Sequence, residues 1–443
     1  MRQTRQLGTL ASFALLFLAA CGPASDANTG DRTPLADKWM KRAEQSYRSG
    51  DMEDAKSSVE SALQASPRDK ETRLLGAKIA LARLDYPQAL KLSEGMTSSE
   101  GHGIRGRAHW YAGNLEESAD ELEGMLQDPQ VKDPWAKEIA KLARRGHGRH
   151  PFAIEGAQLS AVEMPSAGPM MVVPCELEGE QILALISTGV GEVVVDSAAR
   201  KEAAWVNLRF GGVEVKDVPA VPQDLSPLSR QLGAPIKALL GVNLLRHTNA
   251  TFDRRGSQFV VRQHEPAAPP DATRVPMTYL RGGAMVMRIS VANKEDSAGL
   301  LLVDSAAVYP LALEDSMWKK TGVDLSTLHG DPNLPTPMKT AMVPVVRLAG
   351  FELPQIPAVQ GAPMSDLKRS LDVDLGGLIG AGLMSIFRVT FGDEGRFVWL
   401  EPDPSLAGPP PSQSPAAPPP AAAPAPKAPS APKLGPAKPG AAK

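Results

Sequence analysis

The segment 183–199, LALISTGVGEVVVDSAA, has a counterpart at 301–307, LLVDSAA. In both, a run of apolar residues ends at a short polar loop, with Ser187 first in one loop and Asp304 first in the other. Each of these residues lies eight positions beyond a predicted turn, at the end of the second of two alternating apolar strands. The sequence therefore predicts two copies of a β hairpin whose second strand leads into equivalent loops.

The two copies also share the segment that follows. Each contains an apolar-apolar-Gly step, a short predicted helix and a closing hairpin, with Gly241 in the first copy and Gly380 in the second. Six residues recur at a constant offset of 139: Leu239, Gly241, Leu244, Thr251, Phe252 and Gly256 match Leu378, Gly380, Leu383, Thr390, Phe391 and Gly395. We therefore predict a first β lobe at 150–264, a linker at 265–273 and a second β lobe at 274–402.

These motifs resemble those of the aspartic proteases, in the retropepsin-like form common in bacteria. The resemblance covers about residues 165–402 and rests on three features that recur in the same order in both copies. It implies a mainly-β, bilobed module of the double-psi type, in which each lobe supplies one Asp and the two carboxylates share a proton and a water molecule. It also implies that Asp304 is a retained catalytic position. The residues that would shape the two loops are Thr188, Gly189, Ser305, Gly241 and Gly380.

The first copy departs from this family at the position of its catalytic residue. Ser187 stands where the resemblance implies the first Asp, and Ala306 replaces the glycine of the second loop. A serine hydroxyl does not take up a proton from water, so the pair would lack its base, and a positioned acid or base contributes about 10²- to 10⁴-fold. We therefore expect little or no hydrolysis. The leading hypothesis is a scaffold that binds a protein or peptide, partly in the cleft between the lobes.

Asp196 offers a second alignment, because VVVDSAA at its position also matches the second copy. With Asp196 as the motif residue, both carboxylates would be present and the chain would be an active aspartic endopeptidase. Pairing of Asp304 with Asp304 of a second molecule would have the same result. The spacing disfavours Asp196, which lies 17 residues beyond the turn at Gly179, whereas Asp304 lies eight beyond its turn at Asp296. At about 3.3 Å per residue, the nine extra residues would overshoot the loop by roughly 30 Å.

Residues 37–145 show a helical period and an internal repeat. The segment AEQSYRSGDMEDAKSSVESALQASP places Gly50 between two predicted helices, and Ala55 recurs as Ala89, a step of 34 residues. A more divergent turn surrounds Gly113. This pattern resembles tetratricopeptide repeats, in which small residues let paired helices pack closely. The region is either a docking surface for a protein or peptide, or a helical spacer.

Residues 1–20 have the features of an export signal. Two arginines precede the apolar run LGTLASFALLFLAA, which is short for a bilayer span and ends before Cys21. This arrangement resembles a bacterial lipoprotein signal, which implies cleavage before Cys21 and a lipid on its thiol. With Gly22 as the next residue, it implies the outer membrane as destination. Residues 21–36 would then form a flexible tether to the lipid bilayer, and a purely structural envelope protein is a third hypothesis.

Composition restricts the remaining functions. The 48 Lys and Arg residues against 50 Asp and Glu give a net charge of −2, which does not favour a nucleic-acid partner. His147 and His150 have no cysteine or carboxylate beside them, so we predict neither a metal site nor a cofactor. Cys175 alternates with apolar residues on a predicted strand, and we expect it to be buried. The Pro/Ala-rich segment 403–443 is expected to be disordered.

Overall fold

The computed structural model describes residues 32–292, 298–330, 338–362, 364 and 371–402. Within these ranges a helical region is followed by a mainly-β region. The predicted signal, the Cys21 lipidation site, most of the tether, the turn at Asp296 and the Pro/Ala-rich tail lie outside the described residues. In the described part of the chain, no helix has both the length and the hydropathy needed to cross a bilayer.

The helical region consists of consecutive helices joined by short turns. They are α1 (Pro34–Ser49), α2 (Met52–Ala65), α3 (Lys70–Ala82), α4 (Tyr86–Ser93), α5 (Ser99–Tyr111), α6 (Leu115–Leu126) and α7 (Pro134–Arg144). Most begin at a side chain that accepts a hydrogen bond from a backbone N–H of the first turn, such as Asp51 and Asp69. Ala55 and Ala89 are fully buried, as close packing of paired helices requires.

The first helix begins earlier than the sequence indicated. We expected the tether to extend to residue 36, but α1 begins at Pro34. The Thr33 hydroxyl accepts a hydrogen bond from Ala36 N, and Pro34 occupies the first helical position, where proline costs the helix no hydrogen bond. These two residues together start the helix three positions before the predicted boundary at residue 37.

The first β unit closes into a barrel-like ring. Its elements are β1 (Ala153–Gly156), β2 (Leu159–Glu163), β3 (Val172–Leu177), β4 (Glu180–Ile186), β5 (Val193–Asp196), β6 (Ala204–Phe210), β7 (Val213–Gln223), α8 (Ser226–Leu232), β8 (Ile236–Leu240), α9 (Val242–His247), β9 (Thr251–Asp253) and β10 (Gln258–Arg262). The strand order is β1-β7-β5-β8-β4-β3-β6, and β6 also pairs with β7. The antiparallel pairing of β3 with β4 confirms the hairpin predicted at Glu178-Gly179.

The second β unit repeats this pairing. Its elements are β11 (Thr273–Pro276), β12 (Thr278–Leu280), β13 (Ala284–Ser290), β14 (Ala298–Val303), β15 (Leu311–Leu313), α10 (Asp315–Thr321), β16 (His329–Gly330), β17 (Lys339–Leu348), β18 (Phe351–Gln360), β19 (Leu375–Ile379), α11 (Ala381–Met384), β20 (Phe387–Gly392) and β21 (Phe397–Pro402). β14 runs parallel to β19 with one irregularity in register, as β4 does to β8. β15 lies between β19 and β18, as β5 lies between β8 and β7. The linker predicted at 265–273 ends where β11 begins.

The closing strands of both units meet in one shared sheet, with the order β11-β21-β20-β9-β10-β2. At its centre β9 and β20 are antiparallel, and Thr251 faces Thr390. Their hydroxyl groups are 2.9 Å apart and buried. Because these two residues are equivalent in the repeat, their direct pairing places an approximate twofold axis between them.

One face of the helical region is covered by the second β unit. Tyr47 of α1 and Ile79 of α3 share a buried apolar cluster with Leu300 and Leu302 of β14. Ion pairs flank this contact, including Arg48 to Asp374 at 2.9 Å and Arg288 to Asp51 at 2.8 Å. The sequence left open whether the helical region is a docking surface or a spacer. This face of it contacts the chain's own β region and is therefore not free to dock a partner.

Candidate functional site

The structure brings Ser187 and Asp304 together. β4 ends at Ile186 and β14 ends at Val303, so the two residues are the first of their respective loops. Ser187 Oγ donates a hydrogen bond to Asp304 Oδ1 over 3.0 Å. Ser187 is 1% exposed, whereas Asp304 is partly exposed. The two loops therefore meet tip to tip, with a hydroxyl on one side and a carboxylate on the other.

Thr188 and Ser305 lock the two loops together. Thr188 Oγ1 donates to the Val303 carbonyl at 2.8 Å and accepts from Ser305 N at 3.1 Å. Ser305 Oγ donates to the Ile186 carbonyl at 2.9 Å and accepts from Thr188 N at 3.2 Å. Both side chains are fully buried. Each hydroxyl thus satisfies two backbone groups, which fixes the separation of the loops.

The three glycines singled out in the sequence stand where a side chain has no room. A Cβ at Gly189 would lie 2.5 Å from Asp304 Cγ. A Cβ at Gly241 would overlap the carbonyl oxygen of Glu192, and one at Gly380 would overlap that of Tyr309. Close backbone approach at these points is what glycine permits. Gly189 in particular allows the first loop to reach the carboxylate of the second.

Burial governs the electrostatics of Asp304. Loss of solvent raises the pKa of its carboxyl group, because the charged form is disfavoured away from water. Hydrogen bonds from Ala306 N, at 2.9 Å to Oδ1, from Ser187 and from the Gly189 amide oppose that rise. In turn, burial and the nearby charge of Asp304 raise the pKa of Tyr309. Among the described residues no other carboxylate hydrogen bonds to Asp304, so the site holds one carboxyl group without a paired carboxylate.

Asp196 lies elsewhere in the first unit. It is the last residue of β5, where it pairs with Gln223 of β7. Its carboxylate accepts a hydrogen bond from Ala198 N at 3.2 Å, and Lys237 Nζ lies 3.6 Å away. Asp304 is not among these partners, and the structure does not bring the two carboxylates together.

Sequence reasoning missed a buried carboxylate at the end of the first loop. Glu192 is 4% exposed and accepts hydrogen bonds from the indole N–H groups of Trp110 and Trp135, at 3.1 and 2.8 Å. Burial raises the pKa of Glu192. Its position between a glycine and the apolar strand β5 was the available signal, because a charged residue at the start of a buried strand needs partners.

Other chemistry-bearing side chains play no part in this site. In the part of the chain that the structure describes, no group of three His, Cys, Asp or Glu side chains is arranged to hold a metal ion. Cys175 is buried in β3, and its burial raises the pKa of the thiol to about 12. A thiol with so high a pKa is almost entirely protonated at neutral pH and therefore a poor nucleophile.

Comparison with known proteins gives little further guidance. No protein-family model matches the chain, and no curated protein matches it. Among solved structures it is similar to a retropepsin-like aspartic protease from Rickettsia conorii, with 19% identity and a TM-score of 0.23, over 29% of this chain and 90% of that one. It is also similar to the TPR domain of Arabidopsis OM64, with 15% identity and a TM-score of 0.22, over 25% of this chain and 92% of that one. Neither score supports a functional conclusion.

Proposed function

We propose that the chain is a scaffold that binds a protein or peptide through a bilobed, retropepsin-like module without a catalytic pair. One observation carries this proposal. Ser187 Oγ donates to Asp304 Oδ1 at 3.0 Å, in the place where the family resemblance implies two carboxylates.

The chemistry of that hydrogen bond argues against hydrolysis. An aspartic protease needs two carboxyl groups that share one proton, so that one serves as acid while the other serves as base. Ser187 instead donates a hydrogen bond to Asp304, and its uncharged hydroxyl cannot keep the Asp304 carboxyl protonated by charge repulsion. Asp196, with its own partner Lys237 at 3.6 Å, does not supply the missing group. Asp304 of a second molecule would have to displace the buried Ser187 from its hydrogen bond to Asp304.

The retained frame supports a binding role. Thr188 and Ser305 hold the loops with four hydrogen bonds although the catalytic pair is absent. Beside them Gly189, Val190 and residues 306–310 are partly exposed. A rigid, partly exposed loop pair with backbone groups at its surface suits an extended peptide, which can hydrogen bond along its main chain.

Two further parts of the proposal concern the rest of the chain. The helical region is proposed to be a tetratricopeptide-like stack, consistent with its paired helices and the 34-residue step from Ala55 to Ala89.

Cys21 is proposed to carry a lipid that anchors the protein at the bacterial outer membrane. Replacement by Cys21→Ala should abolish incorporation of a labelled fatty acid and release the protein from membranes, and continued labelling would contradict the anchor.

Cleavage is tested with the purified full chain and a pool of unfolded substrates, from acidic to neutral pH. We expect no specific cleavage by the native chain or by Asp304→Asn. Asp196→Asn is the matched control, since it removes a carboxylate outside the loop pair. Cleavage that Asp304→Asn abolishes and Asp196→Asn leaves intact would overturn the proposal.

Binding is tested by photo-crosslinking with a peptide pool. A photoreactive residue at Val190, beside the loop pair, should capture peptides with shared sequence features. The control carries the same residue at Leu159, which is 52% exposed on the edge strand β2 of the shared sheet. Equal capture at the two positions would contradict a peptide site at the loops.

A further inference from the structure

The loop that begins at Ser187 ends in a carboxylate held by the helical region. Trp110 of α5 donates to one oxygen of Glu192 and Trp135 of α7 donates to the other, at 3.1 and 2.8 Å. A carboxylate that is 4% exposed requires such donors, because an unpaired buried charge is strongly unfavourable. The helical region thus supplies the hydrogen-bond donors for a carboxylate in residues 187–192, the motif loop.

Trp135 is itself held in place. The Arg107 guanidinium lies over the Trp135 ring, 4.1 Å from its centroid, and pairs with Asp133 at 2.7 Å. Asp133 caps α7 by accepting from Ala136 N at 3.1 Å. Arg281 of the second β unit lies 3.7 Å from the same carboxylate. The contact therefore joins the helical region to both β units.

Tyr111, next to Trp110 in α5, fills a notch between the two β units. Gly191 of the first unit and Gly283 of the second face each other, and a Cβ at Gly191 would lie 3.3 Å from Gly283 Cα. A Cβ at Gly282 would overlap the Tyr111 ring, and one at Gly283 would lie 3.1 Å from its hydroxyl. Tyr111 is 8% exposed. Its side chain therefore occupies space between the units beside Gly191, which lies four residues along the chain from Ser187.

We propose that this junction is an autoinhibitory latch: Glu192, Trp110 and Trp135 hold the motif loop against the helices, and Tyr111 blocks the adjoining end of the cleft. This inference rests on the proposed function and names the regulation of the same site. A peptide that lies between the β units needs the notch that Tyr111 fills. Peptide entry then requires α5 to move away, which breaks the indole hydrogen bonds to Glu192.

The latch is tested first by the accessibility of the motif loop, without any peptide. The thiol introduced by Val190→Cys is labelled in the full chain, with Cys175 as internal reference for global unfolding. Adding Trp110→Phe, which removes the indole N–H and keeps an aromatic ring, should speed labelling at position 190 about tenfold, the factor expected for one lost buried hydrogen bond. Tyr111→Ala should act in the same direction.

Controls separate a latch from simple packing. Trp39→Phe, on α1 away from the junction, should leave the labelling rate unchanged. Equal acceleration at position 190 and at Cys175 would mean global destabilisation and would overturn the latch. No acceleration in either junction variant would overturn it too.

Peptide capture at position 190 then tests the proposed function separately. Capture should rise in Trp110→Phe and Tyr111→Ala in proportion to the labelling rate. Faster labelling with no capture in any variant would leave the latch standing and would contradict the binding function instead.

Discussion

The two β units pair their strands in the same order but differ at one loop tip and in what covers them. The loop after β4 starts with Ser187, and the loop after β14 starts with Asp304. The outer apolar layer of the first unit is closed by its own α8, through Leu228 and Leu232. The corresponding layer of the second unit is closed by α1, α2 and α3 of the helical region.

The frame that holds the two loops together is independent of the residue at each loop tip. The reciprocal hydrogen bonds of Thr188 and Ser305 use one residue from each unit and involve neither Ser187 nor Asp304. The first unit, with Ser187 at its loop tip, is therefore held against the second without a carboxylate at that position.

The largest effect is expected from removal of the lock. Thr188→Val together with Ser305→Ala leaves four buried backbone groups without partners, which should lower the free energy of unfolding by about 3–5 kcal/mol. The measurement is urea denaturation of the full chain. Thr340→Val is the control, because its hydroxyl bonds to Ala358 O within one unit, and it should cost about 1 kcal/mol or less. Equal losses for both changes would show that the lock carries no special weight.

A smaller loss of stability is expected when a side chain is added at Gly282, which lines the notch that Tyr111 fills. Gly282 has φ of +78° and lies against the Tyr111 ring, so Gly282→Ala should cost about 2–3 kcal/mol from backbone strain and overpacking. Gly179 has φ of +84° with open space around it, and Gly179→Ala should cost only about 1 kcal/mol. Thermal denaturation of both variants measures the difference. Similar costs would argue against a tightly filled notch.

A second carboxylate introduced beside Asp304 should make stability depend on pH. In Ser187→Asp, repulsion between neighbouring carboxylates would raise one pKa in the folded state above its unfolded value. The free energy of unfolding is then highest at acidic pH. It falls as pH rises through the raised pKa, by about 2 kcal/mol at neutral pH. Ser187→Asn, similar in size and neutral, should not show this slope in denaturation across pH. Parallel curves would indicate that position 187 is not adjacent to Asp304.

The smallest effect is expected from removal of the remaining charge. Burial raises the pKa of Asp304, so the folded state binds its proton more tightly than the unfolded state. The native chain should therefore lose stability relative to Asp304→Asn as pH rises above the ordinary carboxyl range, by a fraction of the Ser187→Asp effect. Denaturation midpoints at several pH values measure it. If the native chain became more stable relative to Asp304→Asn as pH rises, the result would contradict a raised pKa of Asp304.

Local signals in the sequence were sufficient to predict the first hairpin and to match the loops of the two β units. Strand alternation and the turn at Gly179 predicted the β3–β4 hairpin, and the offset of 139 matched Thr251 to Thr390 without indicating that the two residues face each other. Ser187 and Asp304 could be matched because each ends a strand at the same distance from its turn. The start of α1 was misplaced because Thr33 and Pro34 look like linker residues until the cap they form is considered.

Contacts between distant segments could not be predicted from one sequence. Glutamate is usually found at the surface of a protein. The partners that hold Glu192 in the interior, Trp110 and Trp135, lie 82 and 57 residues away along the chain. Tyr47 and Ile79 fit any amphipathic helix, so nothing in their spacing indicated that β14 would cover them. Such pairings depend on the three-dimensional arrangement of whole regions, which residue periodicity does not encode.

The shared sheet can be completed only late in the synthesis of the chain. The first β unit can form its barrel-like ring before the second is complete, since domains generally fold from the N-terminus as they are made. Its strand β9, however, finds its partner β20 only when residues 387–392 have emerged, close to the end of the described chain. Until then one edge of β9 is open, and an open strand edge is a template for pairing with other chains. Translation products that stop before Phe387 are therefore expected to aggregate rather than persist as one-lobed proteins.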